Sequence, residues 1–326
     1  MTRNLDPNSP VPEQGVVTNR FRGWPAVTLQ GGDLRATFIP QLGMLGASLR
    51  WRGRELLSLH GGLDGWLAGH TTGMPLLAPW ANRLGSLAYR AGRTRVDLRG
   101  APHLHLDPNG LPIHGTLLGR HDWSVARVAH DSDRGVLGAT FAFAEHPDLM
   151  RSFPFAHELE VEVIVDDRSL SVSTIVRPTG RVSVPISFGW HPYFRLPGAR
   201  RSDLSVHLPA RSRIEVDECQ LPTGRLSRKP AAIIPLASRT FDDGYRLGRS
   251  RRFRISARPG VGAVQALAIE FDRGYAFLQV YAPVGKPFVA IEPMTAPTNA
   301  LVTGEHPWVR PGEQFAASFR VSVEPA

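Results

Sequence analysis

The chain has 326 residues, a formal net charge of +9 and a single cysteine, Cys219. This length can bury a large core, and no stretch approaches the roughly 20 apolar residues that a membrane-spanning helix needs. One cysteine excludes an internal disulfide framework and a cysteine-only zinc site, so we expect a globular, soluble, cytoplasmic protein without a membrane partner.

The positive charge does not by itself predict a nucleic-acid partner. The two lysines are Lys229 and Lys286, and the arginines are scattered, with the densest run in the turn-rich segment Arg249–Arg254. Nucleic-acid binding relies on clustered cations that release counterions from the phosphate backbone. We therefore interpret the charge as a general arginine bias on a solvated surface, and we expect no nucleic-acid partner.

In chain order, the predicted elements are strands. Residues 1–17 are polar, lack the apolar core of a signal peptide and are predicted to form a flexible tail before a single domain over residues 18–326. Short β-branched or aromatic runs then predict the strands Leu34–Pro40, Gly46–Trp51, Tyr89–Leu98, Trp123–Ala129 and Val136–Glu145. Between them, Gly61–Asn82 is irregular and rich in Gly and Pro, which is typical of a long functional loop.

The clearest alternation of apolar and polar residues lies in the middle of the chain. Glu158–Val165, Leu170–Val176 and Val182–Phe188 follow one another and are predicted to form an antiparallel meander of three neighbouring strands. Similar runs continue to the C-terminus, and no window of a dozen residues has a helical stripe. The predicted fold class is therefore all-β, a large antiparallel β-sandwich.

One histidine lies directly after the third of these strands, in the stretch VSVPISFGWHPYFRLPG. Pro192 disfavours helical backbone in the residue before it, so His191 is predicted to lie in extended or turn geometry at a strand end. Trp190 and Tyr193 offer flat apolar surfaces beside the imidazole. Taken alone, this stretch fits a buried histidine packed among aromatic rings slightly better than a catalytic one.

Further polar groups lie at strand ends or in loops. Glu292 directly follows the apolar run Phe288–Ile291. Burial raises the pKa of a carboxyl group, which suits a general base near neutral pH, whereas a capping or salt-bridging glutamate is the alternative interpretation. The other candidates follow an apolar run or a turn and are Asn82, Arg83 and His114.

Common catalytic signatures are missing from the sequence. It contains no G-x-x-x-x-G-K-[ST] loop, no G-x-G-x-x-G after a strand, no G-x-S-x-G elbow and no H-E-x-x-H. His103 and His105 have the spacing of a metal pair on one side of a strand, but no third ligand has a recognisable spacing. The sequence thus predicts no metal site.

Several motifs follow one another along the chain, in the order PWANRLGSLAYRAG, PIHGTLLGRHDW, FPFAHELEVEV, SFGWHPYFRLPG, LPTG, FDDGY, FVAIEPMTAPTNAL and RPGEQF. Together, this ordered set resembles the aldose 1-epimerase (galactose mutarotase-like) family. The resemblance runs from about Leu34 to Val323. It implies a large antiparallel β-sandwich with the sugar site on one sheet, and it implies no metal or cofactor.

The resemblance also implies roles for individual residues. Glu292 corresponds to the general base and His191 to the general acid of the family. His114 corresponds to a group that binds substrate and assists the acid. The residues matched to substrate binding are Arg83 with its neighbour Asn82, Asp242 with Asp243 as an alternative, and an aromatic platform in which Trp190, Trp80 or Tyr193 faces the sugar.

The implied activity is interconversion of the α and β anomers of a small-molecule hexose by ring opening and reclosure. We expect an ionised Glu292 and a His191 whose environment raises the pKa of its imidazole towards neutrality. His114 is followed by Gly115 and Thr116 rather than a glycine pair, which resembles a divergent branch. Alternatives are a hexose-6-phosphate mutarotase, which needs a cationic pocket, and a non-catalytic carbohydrate-binding protein.

Overall fold

The computed structural model describes residues 17–131 and 133–326. The predicted tail therefore lies outside the described residues except for residue 17, and so does residue 132. The helices are short: α1 (Gly62–Leu67), α2 (Pro147–Ser152) and α3 (Ala300–Thr303). Among the described residues, none of the helices is long and apolar enough to span a membrane.

Apart from three short 3-10 helices (Pro40–Leu42, Phe143–Glu145 and Arg201–Asp203), strands make up the rest of the regular structure. The first twelve are β1 (Val17–Phe21), β2 (Trp24–Gly31), β3 (Leu34–Ile39), β4 (Leu45–Trp51), β5 (Arg54–Glu55), β6 (Leu76–Leu77), β7 (Ala88–Ala91), β8 (Thr94–Asp97), β9 (Ser124–Asp131), β10 (Arg134–Ala142), β11 (His157–Val165) and β12 (Ser169–Pro178). The others are β13 (Val184–Pro185), β14 (Gly189–Trp190), β15 (Tyr193–Phe194), β16 (Leu204–Leu208), β17 (Arg211–Val216), β18 (Pro222–Lys229), β19 (Ala232–Pro235), β20 (Phe241–Leu247), β21 (Arg252–Ala257), β22 (Val264–Arg273), β23 (Phe277–Ala282), β24 (Val289–Met294), β25 (Trp308–Val309) and β26 (Phe315–Pro325).

Two large antiparallel sheets form the sandwich, which confirms the predicted all-β class. The first has nine strands in the order β19-β16-β21-β22-β26-β12-β11-β10-β9. The second has eight strands in the order β18-β17-β20-β23-β24-β14-β6, with β15 also paired to β24. A smaller sheet of β1 to β5 packs through β2 against β10 and β11.

The alternation of apolar and polar residues in the sequence matches the alternation of buried and partly exposed side chains in the first large sheet. In β11, Leu159, Val161 and Val163 are buried, and the glutamates between them are partly exposed. The two large sheets meet through side chains such as Trp190 on β14, whose indole Nε1 donates a 3.0 Å hydrogen bond to Thr174 Oγ1 on β12. The main core therefore lies between the sheets.

The predicted third strand of the meander is wrong. The partner of β12 on its far side is β26, not the segment Val182–Phe188. Only Val184 and Pro185 of that segment form a strand, and it pairs with β25. Because Pro185 has no N–H, the segment cannot supply a continuous ladder. It pairs instead with residues 307–309, and Ser187 O accepts a hydrogen bond from the N–H of Ala81.

Candidate active site

The floor of the site is one face of the eight-stranded sheet. Glu292 on β24 lies opposite Gln279 on β23, and Tyr281 on β23 lies opposite Asp242 on β20. Residues directly opposite each other share a face, and so do residues two apart on a strand. The ladder therefore directs these four side chains to one side, where they line a cavity of about 180 Å³.

His191 lies between two short strands that border β24. β14 pairs with β24 through Gly189, and β15 pairs with it through Tyr193. The backbone N–H of His191 donates a 3.0 Å hydrogen bond to Pro75 O, which anchors the residue directly after a strand, as predicted. Its Nε2 lies 3.2 Å from Glu292 Oε1, and their side chains are only 6% and 1% exposed.

Trp190 does not belong to the cavity, so its predicted role in sugar binding is corrected. Consecutive strand residues point to opposite faces, and His191 occupies the cavity side. The Trp190 indole is fully buried in the core, bonded to Thr174 and packed 6.2 Å from the Phe319 ring. Of the predicted aromatic platforms, Tyr193 lines the cavity, whereas Trp80 is also fully buried in the core.

Two loops bring further predicted residues to the cavity. Asn82 and His114 both have positive φ, 55° and 62°, and the His114 N–H donates a 2.9 Å hydrogen bond to Asn82 O. At the following glycine, Gly115, a Cβ would lie 2.1 Å from Ala78 O, so only glycine fits. The crossing of the two loops holds the His114 ring 5.7 Å from the His191 ring.

The Arg83 guanidinium lines the cavity, and hydrogen bonds to Asp107 and Asn82 fix its position. Its Nε donates a 2.8 Å bond to Asp107 Oδ2, and its Nη1 donates a 3.2 Å bond to Asn82 Oδ1. The same Asn82 oxygen accepts the Arg83 backbone N–H at 2.8 Å. The Asn82 side chain, which also lines the cavity, therefore orients Arg83.

The alternation of β20 separates the two aspartates that the sequence left open. Asp242 lines the cavity and accepts a 2.6 Å hydrogen bond from Gln279 Nε2. Asp243 points to the other face and forms a 2.6 Å ion pair with Arg213. Among the two, Asp242 is thus the aspartate that faces the cavity.

Burial dominates the electrostatics of the site. It raises the pKa of Glu292 well above the usual range of a carboxyl group, and the nearby charge of Asp242 adds to this effect. Burial and the neighbouring His114 lower the pKa of His191, opposite to the direction predicted from sequence. Burial also lowers the pKa of His114 to about 3, so this ring is neutral near pH 7.

Sequence reasoning missed four residues of the site. Gln279 and Tyr281 lie outside the sequence motifs. They are two polar residues two positions apart on the otherwise apolar strand β23, so their side chains lie on the same face of the sheet. Thr71 and Asp107 lie in loops, and only the folded chain brings them to the site. Within the described residues, no group of three or more His, Cys, Asp or Glu side chains is arranged to hold a metal ion.

The arrangement can perform acid and base chemistry on a small polar ligand. A carboxyl and an imidazole lie in contact, and both Glu292 oxygens lack a hydrogen-bond partner within the described protein. Such unpartnered buried polar atoms are unusual and are typical of functional sites. The volume is below the roughly 300–1,000 Å³ of drug-sized sites, which suits a ligand of one sugar unit.

The chain is similar to solved structures with the same fold. A galactose mutarotase-like protein from Clostridium acetobutylicum has 18% identity and a TM-score of 0.82, covering 95% of this chain and 98% of its own. Galactose 1-epimerase from Lactobacillus acidophilus NCFM has 16% identity and a TM-score of 0.73, covering 96% and 98%. An aldose epimerase homologue from C. elegans has 17% identity and a TM-score of 0.72, covering 91% and 97%.

These likenesses concern the fold, because the identities are low. No protein of curated function gives a significant match to the chain. A sequence model of the aldose 1-epimerase family matches residues 25–322, nearly the whole length. The chain therefore belongs to the aldose 1-epimerase family.

Proposed function

We propose that the protein is an aldose 1-epimerase that interconverts the α and β anomers of a hexose. The carrying observation is the 3.2 Å contact between Glu292 Oε1 and His191 Nε2 at one wall of the cavity. Ring opening removes the proton of the anomeric hydroxyl and delivers one to the ring oxygen. Glu292 acts as the base and His191 as the acid; after the aldehyde end rotates, reclosure reverses both transfers.

The opposite pKa shifts of the pair are compatible with this assignment. A neutral carboxylic acid beside a neutral imidazole holds the same number of protons as a carboxylate beside an imidazolium. Burial favours the neutral distribution, and one proton has to pass from the Glu292 carboxyl group to His191 Nε2, 3.2 Å away, for base and acid to be ready. Each positioned proton-transfer group typically contributes about a hundredfold to ten-thousandfold.

The other residues of the cavity bind the sugar. The Arg83 guanidinium donates hydrogen bonds to the sugar hydroxyls, and Asp242 accepts them. Neutral His114 donates an N–H and stabilises the oxygen that receives the proton. The Tyr193 ring, one of the three aromatic platforms predicted from the sequence, lines the cavity together with Tyr281, and these rings offer an apolar surface to the sugar.

The charges of the cavity favour a neutral hexose over a hexose 6-phosphate. Among the described residues that line it, Arg83 is the one cation, and its Nε is already paired with Asp107. The carboxylate of Asp242 faces the same space and disfavours a phosphate. The contact between the Glu292 carboxyl group and the His191 imidazole favours catalysis over simple binding, because a binding protein does not need an acid and base pair.

Polarimetry of freshly dissolved α-D-glucose and α-D-galactose tests the proposal. We expect the intact protein to accelerate the relaxation of rotation and Glu292→Gln to lose at least a hundredfold in kcat while keeping its fold. Glu270→Gln, on the partly exposed surface of β22, is the matched control and should behave as the intact protein. Sugar binding without acceleration would identify a non-catalytic binder, and acceleration of phosphorylated hexoses alone would favour the phosphate-specific alternative.

A further inference from the structure

We propose that Asp107, which does not line the cavity, sets its charge preference by neutralising Arg83, so that uncharged sugars are accepted and sugars with a carboxylate are rejected. The inference rests on the proposed function, since it concerns the specificity of the same site. Asp107 is a specificity-determining residue that acts through Arg83. It makes none of the proton transfers.

The position of Asp107 is fixed by hydrogen bonds on both of its oxygens. Oδ2 accepts the 2.8 Å bond from Arg83 Nε, and the two side chains are 2% and 15% exposed. Oδ1 accepts the backbone N–H groups of Asn109 and Leu111, each at 2.9 Å. Against the effect of burial, the bonds from Leu111 and Arg83 lower the pKa of Asp107, so the carboxylate is charged at neutral pH.

The remaining charges of the cavity make this neutralisation decisive. Burial raises the pKa of Asp242, whereas the charge of Arg83 and the hydrogen bond from Gln279 act in the opposite direction. In its ionised form Asp242 contributes one negative charge, and Glu292 with His191 forms a pair that is neutral as a whole. His114 is neutral. Arg83 acts electrostatically on Asp242, Glu292 and His114, so its charge is felt throughout the cavity. With Asp107 ionised, the net charge of these groups is negative; without it, the net charge is zero.

The effect of this difference in cavity charge can be measured with two sugars of nearly equal shape but different charge. D-Galacturonate replaces the CH2OH group of D-galactose with a carboxylate, so the two differ mainly by one negative charge. A unit charge at roughly 7 Å, in a medium with an effective dielectric constant of about 20, changes binding by about tenfold to a hundredfold. The buried location of Asp107 limits the screening of this effect by salt.

The experiment compares the intact protein with Asp107→Asn, which keeps the shape of the side chain and removes its charge. For both sugars, kcat/KM is measured by polarimetry and Kd by isothermal titration calorimetry. We expect the preference for galactose over galacturonate to fall at least tenfold in the variant, in both quantities. An unchanged preference in a folded variant would overturn the proposal.

Arg83→Gln provides the second arm, because the glutamine amide keeps an N–H donor for the buried Asp107 while it removes the cation. It keeps the proposal testable if Asp107→Asn fails to fold. In this variant Asp107 is no longer neutralised, so the preference for galactose should rise at least tenfold; a preference that stays or falls contradicts the proposal. Where both variants fold, the double variant has the same net cavity charge as the intact protein, so its preference should return to within about threefold of the intact value. A double variant that keeps the preference of either single variant contradicts the proposal.

The two readouts separate the inference from the proposed function. If neither sugar is turned over but the Kd ratio shifts as expected, the epimerase assignment fails and the role of Asp107 stands. If galactose is epimerised but the ratios do not move, the epimerase assignment stands and the role of Asp107 fails.

Discussion

Gln279 Nε2 donates a 2.6 Å hydrogen bond to Asp242 Oδ1, which links the middle strand of the site to the aspartate on the neighbouring strand. The two residues lie diagonally on β23 and β20, since the residue directly opposite Gln279 is Gly244. A Cβ on that glycine would lie 3.1 Å from Gln279 Oε1. The absence of a side chain there leaves space for the amide that orients Asp242.

Gln279→Met keeps the length of the side chain and removes this donor. We expect KM for the hexose to rise about tenfold to a hundredfold, with a smaller change in kcat, because Asp242 loses a hydrogen bond and its orientation. Steady-state polarimetry gives both constants. Gln265→Met on β22, where the amide donates to Ala257 O far from the cavity, is the matched control. A fall in kcat alone would contradict an orienting role.

Trp190→Phe tests the corrected position of this residue. The variant loses the bond to Thr174, leaves that buried hydroxyl without its indole partner and opens space in the core. We expect the free energy of unfolding to fall by about 2–4 kcal/mol in urea titrations. KM should stay within about twofold of the intact value. A tenfold rise in KM without loss of stability would instead support contact with the sugar.

Gly115→Ala and Gly119→Ala separate steric clash from backbone strain on the same loop. Both glycines have positive φ, 72° and 92°, but a Cβ meets Ala78 O at 2.1 Å only at Gly115 and meets nothing within 4 Å at Gly119. We expect Gly119→Ala to lose about 1 kcal/mol of stability and Gly115→Ala about 2–4 kcal/mol. Thermal unfolding of the pair measures this difference, and equal losses would mean that the clash is relieved by movement.

Buried His157 predicts a loss of stability in acid. Its Nδ1–H donates a 2.6 Å bond to Phe155 O, and burial lowers the pKa of the ring to about 4 from 6.5. Between these values the unfolded chain binds the proton and the folded chain does not, so stability falls as pH decreases from 6.5 towards 4. The contribution reaches about 3 kcal/mol near pH 4.

His157→Gln should flatten this dependence. Urea unfolding at pH 7 and pH 4.5 gives the slope for the intact protein and the variant. The substitution also disturbs packing against Phe143, whose ring stacks 4.5 Å from the imidazole, so the comparison uses the change between the two pH values and not the absolute stability. An equal pH dependence in both proteins would contradict the assignment.

The sequence predicts the strands better than their partners. The alternation in β11 and β12 locates both strands, because each buries one face and exposes the other. The pattern of Val182–Phe188 is similar, yet its hydrogen bonds go elsewhere. Local periodicity reports which side chains are buried but not which distant strand supplies the backbone partners, and here β26 takes the place beside β12.

The same limit applies to the site. Motif matching located His114, His191 and Glu292, which the structure brings to one cavity. It could not separate Asp242 from Asp243, because adjacent strand residues have similar local patterns and only the sheet decides which face is covered. The role in sugar binding predicted for Trp190 is corrected for a related reason. Its neighbour His191 lies on the cavity face, and the Trp190 indole lies in the core.

The division of the site between strands and loops has a consequence for how this family can diversify. Glu292 is embedded in a strand with every residue buried, and His191 is anchored by backbone bonds beside it. Arg83 and His114 come from loops, which can change in sequence outside their crossing at Asn82, His114 and Gly115 without disturbing the sheet ladder. Under the proposed function, lineages could exchange sugar preference through loop replacement while inheriting the same proton-transfer chemistry, and laboratory evolution aimed at new sugars should begin with those loops.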